Sequence, residues 1–147
     1  MLTVNKRRRI ARVLIVEDEP LVAFDTEHFL RGEGYEIVAT VESVEHGLTV
    51  LGEAGSVDLV LVDVNLADGS GVEVARAAHA DGVAVLFVTG GFPDEARAFA
   101  AGCLGKPYAP RDLLAAIRAI EHVLDGRVPS KRLPGSFTLF LEAQVAG

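Results

Sequence analysis

The chain has 147 residues, half of them apolar and a quarter charged, the size and balance of one globular domain with a buried core; this excludes a disordered tail and predicts no separate enzyme or DNA-reading module. The formal charge of −7 is an average over unlike parts: Lys6, Arg7, Arg8, Arg9 and Arg12 precede a stretch, residues 13–126, in which six basic residues face twenty carboxylates, a balance of −14. Such a body excludes a general nucleic-acid surface. Cys103 is the one cysteine, so no internal disulfide forms and a cytoplasmic location is expected. The longest charge-free apolar run, Gly82 to Pro93, is far shorter than the roughly 18 residues of a spanning helix. Arg12 and Glu17-Asp18-Glu19 interrupt any apolar signal segment, so neither membrane insertion nor export is expected.

Val13–Val16 is a short β-branched run, as a strand buried on both faces reads. Leu21, Phe24, His28 and Phe29 follow at helical spacing. Glu36–Ala39 reads as a second strand, Val44, Leu48 and Leu51 as a helix, and Val57–Val62 as a third strand. Val72, Val74, Ala75 and Ala78 predict another helix, Val83–Val88 a fourth strand and Cys103-Leu104 a short fifth. The clearest amphipathic stripe runs from Leu113 to Leu124, opened by Pro110 and closed by Gly126. Gly32-Glu33-Gly34, Gly52 to Gly55, Asp68-Gly69-Ser70-Gly71 and Asp81-Gly82 punctuate the pattern. Five β-α units predict a doubly wound five-stranded parallel sheet flanked by helices, with its ligand site at the carboxyl ends of the strands. Residues 1–12 form a basic extension, 13–126 the domain and 127–147 a tail.

The polar residues that follow the apolar runs fall into one layer. Glu17 and Asp18 follow the first strand, Asp63 the third, Thr89-Gly90-Gly91 the fourth and Lys106-Pro107 the fifth. Three clustered carboxylates need a compensating cation. Oxygen donors select a hard ion, Mg²⁺ or alternatively Mn²⁺, which binds one or two carboxylates plus a phosphate. With Lys106 and the Thr89 hydroxyl facing Asp63, this is a site for in-line phosphoryl transfer to a carboxylate.

These residues resemble the receiver domain of two-component response regulators over about residues 11–126. Val13 to Pro20 is similar to its acidic opening, Leu59 to Leu66 with Asp68-Gly69-Ser70-Gly71 to its phosphoacceptor strand and loop, and Phe87-Val88-Thr89-Gly90 and Lys106-Pro107-Tyr108 to its remaining motifs. The resemblance implies a flavodoxin-like fold and phosphorylation of Asp63 by a histidine kinase or phosphotransfer protein. It implies Mg²⁺ bound by Asp18 and Asp63, by Glu17 through water and by the backbone carbonyl of Asn65. Thr89 and Lys106 would bind the phosphoryl group, and the Lys106-Pro107 bond would be cis. Phe87-Val88-Thr89-Gly90-Gly91-Phe92 resembles the "FAT GUY" single-domain receivers, which links the chain to general stress signalling and makes Gly90, Gly91 and Phe92 candidates for a loop switch.

Two departures from the family pattern matter. Only 17 positions separate Thr89 from Lys106, which predicts a short or irregular fourth helix; Cys103 stands where receivers commonly carry a switch Tyr or Phe. A small buried hydrophobe suits Cys103 better than a redox sensor. His28, His46, His79 and His122 have no ligand spacing and read as packed or partly exposed side chains.

In the tail, Pro129, Ser130 and Pro134 read as a linker, and Phe137, Leu139, Leu141 and Ala143 alternate like a strand, while Phe137, Phe140, Leu141 and Val145 equally suit a helix face. Such an apolar patch is expected to dock on its own receiver, at the face left by a short fourth helix, or on a second copy as a homodimer. The leading expectation is a stand-alone response regulator that signals by phosphorylation-dependent protein binding, with a phosphate sink as a variant. The rival readings are a phosphate-independent adaptor and a haloacid-dehalogenase-type phosphohydrolase. The latter wants Asp-x-Asp, and Asn65 cannot serve as its general acid/base.

Overall fold

The computed structural model describes residues 8–91, 94–129 and 132–141, residue 95 by its backbone alone. Phe92, the basic residues Lys6 and Arg7 and the last six positions therefore lie outside the described residues. In chain order the elements are β1 (Arg12–Val16), α1 (Pro20–Gly32), β2 (Glu36–Val41), α2 (Val44–Glu53), β3 (Leu59–Asp63), β4 (Asn65–Leu66), β5 (Gly69–Ser70), α3 (Val72–Ala80), β6 (Ala84–Thr89), a 3-10 helix (Asp94–Phe99), β7 (Gly102–Gly105), α4 (Pro110–Leu124) and β8 (Phe137–Leu139).

The main sheet has the order β2-β1-β3-β6-β7-β8; its first five strands are parallel, and β8 joins β7 antiparallel. The doubly wound parallel sheet of the sequence reading is present, extended by one strand from the tail. Strand periodicity divides its side chains between two cores. Val13 and Ile15, Leu59 and Leu61, and Leu86 and Val88 point to the face covered by α1 and α4, together with Leu30, Leu113, Ile117, Ile120 and Phe137. Leu14 and Val16, Val60 and Val62, and Val85 and Phe87 point to the other, with Val44, Val74, Ala75, Ala78 and Ala96 from α2, α3 and the 3-10 helix. Burial on both faces explains why these strands lack polar alternation.

On α1, sequence periodicity proposes Leu21, Phe24, His28 and Phe29 as an inward stripe; Phe29 packs against the core, but the structure turns the other three outward. Leu21 and Phe24 are 79% and 64% exposed, whereas Ala23, Thr26 and Leu30 are buried. Both sets have helical spacing, so the choice falls to packing: small Ala23 and Thr26 let the helix approach the sheet, and Thr26 hydrogen-bonds Tyr108. The fourth crossover is reduced to the six-residue 3-10 helix, consistent with the short span between Thr89 and Lys106. Among the described residues, no helix is long and apolar enough to cross a membrane.

Candidate phosphoacceptor site

The chain leaves β1 for β2 on one side and returns to β3 on the other, so the strand order switches at β1. Ligands of open α/β sheets bind at such a crevice. Register brings the strand ends level there: Val16 pairs with Val62, Asp63 with Val88, and Thr89 with Gly105. Glu17 and Asp18 thus emerge beside Asp63, and Lys106 emerges one strand beyond Thr89.

Lys106 is the centre of the charge pattern. Its Nζ lies 2.7 Å from Asp63 Oδ2, contacts Glu17 Oε1 and stands 3.9 Å from Glu19 Oε1. Glu17 and Asp63 are both buried. Burial raises the Glu17 carboxyl above the usual carboxylate range, against the lowering pull of Lys106 and of the Glu19 N–H. Burial also works against the charge of Lys106, but its hydrogen bonds to Asp63 and Glu17 and their negative charges together hold the ammonium above its ordinary range. The other Asp63 oxygen, Oδ1, accepts from the Asn65 N–H at 3.0 Å.

Glu17, Asp18 and Asp63 each offer an oxygen, all within 4.8 Å of one another. This all-oxygen donor set, with Asp18 half-buried at the rim, fits a hard divalent cation that keeps some of its water. Asn65 is exposed next to Asp63. Asp18, Asp63, Asn65, Gly90 and Lys106 line one cleft of about 610 Å³, which Glu19, Pro20 and Leu21 complete. Thr89 Oγ1 is turned instead toward its own loop, donating to the Gly91 carbonyl at 2.7 Å and accepting from the Gly91 N–H at 3.2 Å. A Cβ at Gly90 or Gly91 would meet nothing within 4 Å, so the loop is open there. The Lys106–Pro107 peptide is cis.

Three supports were hidden from sequence reasoning. A Cβ at Gly71 would lie 2.0 Å from the Asp63 carbonyl oxygen, so only glycine lets the chain between β5 and α3 pass this close under β3; its N–H donates to the Val64 carbonyl at 2.7 Å. Asp68 caps α2 from outside the helix, accepting from the N–H groups of Val44 and Glu45 at 2.9 and 3.3 Å. Those bonds, the Val44 one foremost, hold its carboxyl below its ordinary value. Glu19 supplies the backbone donor to Glu17 Oε2 and a third carboxylate near Lys106. The cluster Asp68-Gly69-Ser70-Gly71 was legible as a turn, but nothing in it says which glycine touches backbone.

Residues 13–118 match the model of the response regulator receiver domain. The chain belongs to the receiver family. Among curated relatives it is similar to the cell cycle response regulator CtrA of Brucella ovis, with 32% identity across 92% of this chain and 62% of that protein. It thus spans less than two thirds of that relative's length. Among solved structures, this receiver resembles a CheY-like receiver domain protein from Methanospirillum hungatei, with 31% identity, a TM-score of 0.67 and coverage of 76% of this chain and 94% of the other. TrrA of Thermotoga maritima, solved in complex with Mg²⁺ and BeF, gives 27% identity and a TM-score of 0.68 across 75% of this chain and 98% of its own. The fold is that of a receiver, and the acidic cluster of Glu17, Asp18 and Asp63 at the β1/β3 crevice is compatible with a cation-binding pocket. Cys103, in β7 of the same sheet, is buried, and burial alone pushes its thiol up to about 11, which leaves it inert.

Proposed function

We propose that this receiver accepts a phosphoryl group on Asp63 from a histidine kinase or phosphotransfer protein and signals through phosphorylation-dependent binding of a protein partner. The observation that carries the reading is the clamp on Asp63: Oδ2 on the Lys106 ammonium at 2.7 Å, Oδ1 on the Asn65 N–H at 3.0 Å, and an open cleft in front. In the transfer, an Asp63 oxygen bonds to phosphorus as the phosphorus–nitrogen bond of a phosphohistidine breaks, and the released imidazole takes a proton from water. Lys106, already at the carboxylate, moves its charge onto an equatorial phosphoryl oxygen. A divalent cation held by Glu17, Asp18, Asp63 and the Asn65 carbonyl would offset the remaining negative charge.

Thr89 completes the account by what it must leave. To donate to a phosphoryl oxygen its hydroxyl has to give up its donation to the Gly91 carbonyl, which loosens the start of the loop leading to the 3-10 helix. A partner that distinguishes the two loop states converts phosphorylation into affinity. The same geometry supports self-phosphorylation by small phosphodonors and hydrolytic dephosphorylation, with Gly90 leaving room for water. The Asn65 side chain is an amide, which excludes the proton shuttle of a phosphohydrolase.

The test is incorporation of one phosphoryl group from acetyl phosphate with Mg²⁺, read by intact mass. The wild type gains it and Asp63→Asn does not; equal labelling of both rejects Asp63 as acceptor. Partner capture that ignores beryllofluoride would instead favour a phosphate-independent adaptor.

A further inference from the structure

The tail strand meets the acceptor site through the backbone of β7. Along β8, Leu139 lies opposite Gly102, Thr138 opposite Cys103, and Phe137 opposite Leu104. The pairing continues past both ends of the strand: the Gly105 N–H donates to the Ser136 carbonyl at 2.9 Å, and the N–H groups of Phe140 and Leu141 donate to the Ala101 carbonyl at 2.8 and 3.3 Å. Phe137 is 7% exposed within the core of the α1 and α4 face, and the Arg97 guanidinium of the 3-10 helix sits 4.7 Å over the Phe140 ring.

The receiver is shaped for this strand. A Cβ at Gly102 would lie 2.7 Å from a ring carbon of Phe137 and 2.8 Å from the Thr138 carbonyl oxygen, and its backbone is not in the left-handed region. Glycine weakens a strand interior, so the close approach of the tail is the reason for its presence here. At the other end of β7, Gly105 precedes Lys106, whose own N–H donates to the Thr89 carbonyl at 3.0 Å. The peptide backbone from which Lys106 reaches Asp63 is therefore fixed on one side by β6 and on the other by the tail.

We infer that residues 136–141 are a positioning strand for the phosphoacceptor site: the docked tail holds the Gly105-Lys106 backbone in place, so tail docking and phosphoryl binding at Asp63 strengthen one another. This rests on the reading of Asp63 as acceptor. Coupling of two equilibria is reciprocal, so the factor by which docking tightens phosphoryl binding equals the factor by which phosphoryl binding tightens docking.

The experiment uses the full chain in three forms: wild type, Gly102→Ala, which drives a Cβ into the tail backbone, and Thr138→Pro, which removes a backbone N–H from the middle of the short strand paired with β7. The affinity for beryllofluoride with Mg²⁺ is measured by fluorine NMR, alongside amide hydrogen exchange at Gly105 and Phe140. Both variants should lose protection of the Phe140 amide and bind beryllofluoride roughly 5-fold or more weakly, with full loading at saturation. In the wild type, saturation with beryllofluoride should slow exchange at Gly105 by a similar factor. Unchanged affinity in variants whose Phe140 amide has become exposed overturns the inference and leaves the tail a structural cover; so does tighter binding. A wild type that binds no beryllofluoride at all overturns the acceptor reading itself, and the two failures are thereby distinguished.

Discussion

The two ends of the sheet hold ion pairs in opposite surroundings. At the carboxyl ends of the strands one lysine serves two buried carboxylates, with side-chain exposures of 18% for Lys106, 4% for Glu17 and 8% for Asp63. At the other end Arg9 and Arg127 flank Asp125 at 3.6 and 3.7 Å and Arg12 meets Glu36 at 2.9 Å, all in pairs with at least one member more than half exposed. Two unit charges 4 Å apart interact by about 1 kcal/mol in water and about 4 kcal/mol in the effective dielectric near a protein surface. The same chemical pairing is thus dilute at one end and concentrated at the other, and only the concentrated end can exchange one cation for another with a large change in free energy.

The comparison breaks most readily at Lys106. Lys106→Met leaves Glu17 and Asp63 buried without their counter-charge, so stability at pH 7 without divalent cation should fall by about 3 kcal/mol, the lower edge of the range for opening a buried pair because the lysine is partly exposed. Millimolar Mg²⁺ should restore much of that loss by binding the vacated carboxylates. Urea unfolding with and without Mg²⁺ reads both effects; a variant as stable as the wild type in metal-free buffer would show that the carboxylates need no compensation.

Next in size is the backbone beneath the acceptor. Gly71→Ala places a methyl group 2.0 Å from the Asp63 carbonyl oxygen, and neither that oxygen nor the chain between β5 and α3 can move without disturbing β3. A loss of about 2 kcal/mol is expected, together with slower phosphoryl incorporation, because the strand end that aims Asp63 must shift. Normal stability with normal labelling would mean that this segment yields freely and does not help hold the acceptor.

Much of this was legible beforehand, for identifiable reasons. β1, β3 and β6 are apolar on both faces, so their existence and parallel pairing follow from composition alone, and each ends where a chemically distinctive residue begins: Glu17, Asp63, Thr89. Lys106 could be placed among them because strand ends in such a sheet share one layer. What resisted was anything decided by packing or by backbone contact. Of the expected stripe Leu21, Phe24, His28 and Phe29, only Phe29 reaches the core, since nothing local says which of two helical stripes the sheet will accept. Gly71 looks like turn chemistry, and Gly102 carries no signal at all, until the Asp63 carbonyl and the Phe137 ring are beside them. The tail suited a strand and a helix equally because the unpaired edge of β7 that receives it is a property of the fold rather than of the segment.

Asp68 sharpens the comparison from an exposed position at the acceptor end. Asp68→Ala removes the acceptors for the Val44 and Glu45 N–H groups, so the thermal midpoint should fall modestly at pH 7. Its folded-state pKa lies below the ordinary value of 3.8, so the stabilisation is complete above that value and disappears as pH falls through the folded pKa. Melting curves of the two proteins should therefore converge in acid; a gap that persists at pH 2 would assign the loss to something other than the ionised cap.

The smallest effect is expected at the opposite end of the sheet. Arg9→Gln removes a pair in which the arginine side chain is 53% and Asp125 34% exposed, with Arg127 still beside Asp125. Exposed pairs contribute up to about 1 kcal/mol, and a neighbouring cation lowers the loss further, so about 0.5 kcal/mol or less should separate the variant from the wild type. That difference should vanish in 1 M salt, where screening acts within about 3 Å. The deficit of Lys106→Met, by contrast, should persist there, because salt screens a buried charge far less than an exposed one. Measuring both variants at low and high salt therefore tests the contrast directly: equal salt sensitivity would mean that the Lys106 end is as open to solvent as the arginine end, and the concentrated charge on which the proposed phosphoryl transfer rests would not exist.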